Sequence, residues 1–87
     1  MMLKIQRSTD GDAVVFSLSG RIEGERVAEL ERLFTSEDKD QRIVLDLQGV
    51  DLVDRDAVRF LARCTAEGIG LARCPGYVRE WIAREAD

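Results

Sequence analysis

The chain has 87 residues, 45% hydrophobic and 34% charged, and 13 basic against 17 acidic side chains leave a net charge of −4. This length predicts one small domain over 1–87, with no room for a framework such as the TIM barrel, which needs roughly 250 residues. The acidic balance argues against a direct nucleic-acid partner, and the absence of histidine excludes a Ser-His-Asp triad, a Cys-His pair and a His-ligated zinc.

The N-terminus turns polar by Ser8 and lacks the apolar core of a signal peptide. The longest apolar run, residues 13–16, is far short of the roughly 20 residues of a membrane span. A cytoplasmic protein without a membrane partner is expected. Cys64 and Cys74 are too few for a disulfide scaffold or a complete structural zinc site, so both are expected as small packed thiols.

Along the chain, Leu3 and Ile5 alternate with Lys4 and Gln6, which predicts a half-buried strand over 3–7. Asp10-Gly11 signals a turn. Val14, Val15, Phe16 and Leu18 continue as a second strand over 13–18, making a hairpin that Gly20 ends or bulges. Over 24–34 the period changes. Val27, Leu30, Leu33 and Phe34 fall three or four apart, as on an amphipathic helix. Residues 35–41 are polar and read as a surface loop.

Residues 43–47 form a short apolar run, expected as a central strand buried on both faces. Residues 49–53 read as a connector. Asp54 is placed to N-cap a helix running through Glu67, with Ala57, Val58, Phe60, Leu61 and Cys64 on its apolar side. Gly68 stands where a helix C-terminal glycine belongs. A short strand over 69–72 follows. Pro75 then opens a last helix over 75–84 that buries Tyr77 or Val78, Trp81 and Ile82. The order is β-β-α-β-α-β-α. It predicts an α/β fold: a small mixed sheet with an antiparallel N-terminal hairpin, parallel βαβ units and covering helices.

The most distinctive stretch places Asp46, Asp51, Asp54 and Asp56 within eleven positions, against the single base Arg55. They surround the passage from a central strand into a helix, an edge where α/β proteins hold ligands and partners. One chemistry for such acids is a Mg²⁺ site with a phospho-accepting aspartate, as in response-regulator receivers. The chain is too short for a complete receiver, and Arg73 stands where a lysine is needed. A structural account is sufficient for the acids. Asp54 caps the helix, Asp56 favours its positive end, and Asp46 is hydrogen-bonded locally. Neither a metal nor a cofactor is expected. Arg55 and Arg59 lie four apart on one helix face. Gly20, Gly24 and Gly49 do not form a phosphate-binding loop.

The run Val-Leu-Asp-Leu-x-Gly-Val-x-x-Val-Asp-x-x-Ala-Val-x-x-Leu from Val44 to Leu61 resembles STAS domains, the fold of anti-sigma-factor antagonists. Phe16-Ser-Leu-Ser-Gly-Arg-Ile upstream is similar to the family's strand ending, and Val27 to Phe34 to its next helix. Residues 69–81 are similar to its closing strand and last helix, so the resemblance spans nearly the whole chain. It implies a non-enzymatic interaction module that binds a regulatory protein, such as an anti-sigma-factor kinase. The implied contact is the helix start with Asp54, Arg55, Asp56, Ala57 and Arg59. In the antagonists this motif is commonly Asp-Ser-(Ser/Thr)-Gly, and the hydroxyl before the glycine is phosphorylated. Here the sequence reads Asp54-Arg55-Asp56-Ala57. Asp56 takes the acceptor position and offers a fixed charge in place of a phosphate. Two alternatives remain open: a small-ligand or nucleotide sensor with a pocket at the same edge, and a self-assembling scaffold such as a homodimer.

Overall fold

The computed structural model describes residues 3–37 and 40–86. The first two methionines and the middle of the 35–41 loop (residues 38 and 39) lie outside the described residues. The elements follow the expected order: β1 (Lys4–Asp10), β2 (Ala13–Ile22), α1 (Gly24–Thr35), β3 (Arg42–Val53), α2 (Arg55–Ala66), β4 (Gly70–Ala72) and α3 (Gly76–Ala86).

The strands form one sheet in the order β1-β2-β3-β4. β1 and β2 are antiparallel and joined tightly at Gly11, whose φ of 64° is accessible to glycine at little cost. β2–β3 and β3–β4 are parallel. Alternation along β2 turns Val14, Phe16 and Leu18 into the core, beside Leu45 and Leu47 of β3. Leu30 of α1, Val58 and Leu61 of α2, and Val78 of α3 close over this face in a single apolar cluster. Phe34 links sheet to helix, its ring 5.4 Å from Phe16 and 5.9 Å from Phe60.

Three expectations need correction. Residues 49–53 are not a connector, because β3 runs on to Val53. Two register shifts against β2 absorb extra residues near Gln48 and Asp51, and these polar insertions disguise the strand in the sequence. β3 is also not covered on both faces by helices. Ser17, Ser19, Val15 and Val44 form the opposite row and are only half-buried. Asp46 is buried there, beneath Arg73 rather than beneath a helix. Finally, Pro75 is not in α3; its carbonyl accepts from the N–H groups of Val78 and Arg79 just ahead of that helix.

Other local signals correspond to the geometry. Gly20 lies inside β2 at a register shift, with φ 93°. Gly68 follows α2 with φ 93°, and the N–H groups of Ile69 and Gly68 return to the carbonyls of Cys64 and Thr65 at 2.9 and 3.1 Å. That is a Schellman closure. Of the alternatives in α3, Val78 is buried while Tyr77 stays exposed.

Candidate interaction site at the joined helix starts

Asp54 is the residue about which the site is built. Its N–H donates to the carbonyl of Ile22 at 3.2 Å, tying the end of β3 to the end of β2. Its carboxylate Oδ1 accepts from the N–H of Ala57 at 2.8 Å, the expected cap of α2. Its Oδ2 accepts from the N–H of Gly24 at 2.8 Å, at the start of α1. Glu23, at the cap position of α1, makes no side-chain cap of its own. One carboxylate therefore serves the free amides of two helices, and the positive ends of both macrodipoles meet at a single anion.

Gly24 and Asp56 complete the junction. A Cβ on Gly24 would stand 2.8 Å from the Cβ of Asp56. The two helix starts approach so closely only because residue 24 has no side chain. Asp56 itself remains exposed in the first turn of α2. Ala57 faces the core and joins the site through its N–H alone.

Arg55 and Arg59 share one face, as their spacing implies, and both meet Glu85 near the end of α3, at 3.4 and 3.6 Å. The arginine side chains remain 68% and 54% exposed, so these pairs hold the guanidinium groups only loosely. Arg63, a further turn along, meets Glu31 of α1 at 3.5 Å.

The four acids of the motif do not converge. Asp46 lies on the helix-free face, where its carboxylate accepts from Arg73 and from the N–H of Gln48. Burial by itself would raise the Asp46 carboxyl, but these hydrogen bonds and the Arg73 charge outweigh it and hold the group below its ordinary range. Asp51 is exposed, and its carbonyl accepts from the Tyr77 hydroxyl at 3.0 Å. Among the described residues no three His, Cys, Asp or Glu side chains are grouped to hold a metal ion.

Sequence reasoning missed Gly24, Glu85 and the Asp46–Arg73 pair. Gly24 lies thirty positions from the carboxylate it donates to, and Glu85 is one of many acids on a charged helix. Only Arg73 had a signal, as the base at the end of a late strand.

No family model matches the chain, and no curated protein matches it significantly. Solved structures do. An uncharacterised DUF3478-family protein with a SpoIIAA-like fold, from Shewanella loihica PV-4, matches with TM-score 0.60 at 15% identity, over 97% of this chain and 75% of that one. The antisigma-factor antagonist STAS domain from Rhodobacter sphaeroides matches with TM-score 0.57 at 16% identity, over 98% and 91%. The chain has a STAS-like fold. Crystalline Mglu also matches, with TM-score 0.57 at 28% identity over 82% of this chain; the STAS-like chain spans 19% of that protein's length. Among the described residues no helix is long and apolar enough to cross a membrane.

Proposed function

We propose that this STAS-like chain is a non-enzymatic interaction module that docks a regulatory protein, such as an anti-sigma-factor kinase, on the start of α2. The observation that carries this reading is the joining of the two helix starts by Asp54. It presents the first turns of α1 and α2 as one braced surface, with Arg55, Asp56 and Arg59 at its exposed rim. In such a module nothing has to react. A charge at a helix start changes which surface a partner meets.

Asp56 stands at the position that a phosphorylated hydroxyl takes in antagonists of this fold. It supplies a constant single charge, about half that of a phosphoserine. The reading makes Asp56 a fixed version of the switch, so the native chain should dock such a kinase more weakly than a serine variant would. The test is binding of the native chain and of Asp56→Ser to a cognate anti-sigma-factor kinase, with and without ATP. The serine variant should bind more tightly, and ATP should release it. Equal binding by both variants, with no response to ATP, would remove the switch from this reading.

A further inference from the structure

The helix-free face of the sheet carries a second polar constellation. Strand register places Lys4 of β1 beside Ser19 of β2 and Gly49 of β3, and aligns Ser17 with Asp46 in the neighbouring row. A hollow of about 240 Å³ opens over these residues. Gly49 keeps it open, since a Cβ there would lie 2.7 Å from the Cβ of Ser19.

Arg73 forms the far wall. Its φ is 50°, a left-handed backbone that residues other than glycine rarely adopt. The conformation brings its guanidinium onto Asp46, a carboxylate only 7% exposed. Both Asp46 oxygens are engaged, one by Arg73 and one by the Gln48 N–H at 3.0 Å. Asp46 therefore positions Arg73, whose fork has further N–H donors to offer. The Lys4 ammonium and the hydroxyls of Ser17 and Ser19 have no hydrogen bond or ion pair among the described residues. Two cations and two hydroxyls thus border one hollow, and the only carboxylate there is already taken. Backbone strain of this kind gathers at working sites.

We propose that this hollow binds a compact oxyanion-bearing molecule, a phosphate monoester or a small carboxylic acid, through Lys4, Arg73, Ser17 and Ser19. The ligand is small. The volume lies just below the roughly 300 Å³ at which ligand pockets begin, too little to enclose a whole nucleotide. The site lies across the sheet from the helices and does not depend on the partner reading of α2.

The experiment is a ¹H–¹⁵N NMR titration of the full chain with sodium phosphate and, separately, sodium succinate, each against sodium chloride at equal ionic strength. Saturating shifts are expected at the amides of Ser17, Ser19, Gly49 and Arg73, with a dissociation constant of about 1 mM or tighter. Saturation by phosphate alone identifies a phosphoryl ligand, by succinate alone a carboxylate, and by both a site for either oxyanion. Lys4→Gln, and separately Ser17→Ala with Ser19→Ala, should weaken binding about tenfold. All three residues lie on the uncovered face, so the melting temperature should stay near that of the native chain. The proposal is overturned by shifts that match the chloride control, by shifts centred on the start of α2, or by binding that survives Lys4→Gln unchanged.

Discussion

Asp54 accepts the N–H of Gly24 across thirty residues of sequence, at the same 2.8 Å at which it accepts the N–H of Ala57 in its own helix. A helix cap is normally a local device worth about 1 kcal/mol. Here it is also a tertiary tie. Asp54→Ala removes both hydrogen bonds and should cost about 2 kcal/mol. Asp54→Asn retains a single acceptor oxygen for two N–H donors and should cost about half as much. Urea unfolding at unchanged m value reads both. A full loss for Asp54→Ala beside almost none for Asp54→Asn would mean that the bond to Gly24 contributes nothing.

Gly24→Ala should be destabilising by about 1–2 kcal/mol, because the new methyl must displace the Cβ of Asp56 at 2.8 Å. Asp56→Ala should not relieve this cost, since it keeps the offending atom. Asp56→Gly should relieve it, giving a coupling of about 1 kcal/mol in a double-mutant cycle. Relief by Asp56→Ala as well would show that the carboxylate, rather than the close approach of the helices, sets the constraint.

The Asp46–Arg73 pair makes stability depend on acid pH. Burial opposes the charged Asp46, but the Gln48 N–H and Arg73 overcome that effect and hold the folded carboxyl below its ordinary 3.8. Its contribution is therefore present above pH 3.8 and is lost as the pH falls through the lower folded value. Asp46→Asn should cost about 1 kcal/mol at pH 7, because the buried carboxylate loses its charge-assisted bond to Arg73, whose own side chain is 63% exposed and screened by solvent. The gap between native and variant should close as the solution is acidified below pH 3.8. Thermal melts across that range check it; a gap constant with pH would assign the loss to packing instead.

Cys64 should be inert in the folded chain. Burial, with help from the neighbouring Glu67 charge, pushes its thiol up to about 12, so almost no thiolate forms at neutral pH. Cys74 is half-buried and its thiol is also raised, chiefly by burial. In a timed reaction with a thiol reagent, Cys74 should react first. Cys64 should stay slow until denaturant exposes it. Rapid labelling of both would contradict the packing around α2.

Local sequence chemistry carried much of the fold. Alternation at Val14, Phe16 and Leu18, helical spacing from Val27 to Phe34, the Asp54 cap and the Gly68 ending each depend on residues a few positions apart. Their physics is complete within one element. β3 was harder to read because Gln48 and Asp51 enter at register shifts, where polar insertions interrupt the period without ending the strand.

The site was legible only as a set of residue types. Sequence spacing put Arg55 and Arg59 on one face and Asp54 at a helix start. It carried no trace of Gly24 as a donor, of Glu85 between the two arginines, or of the uncovered side of the sheet. Those follow from sheet order and helix packing, which bring together groups far apart in the chain. The amino acids by themselves determined which elements form and which charges are available. Tertiary packing decided which charges meet, because a carboxylate's second oxygen has no local partner and takes the N–H that the fold delivers.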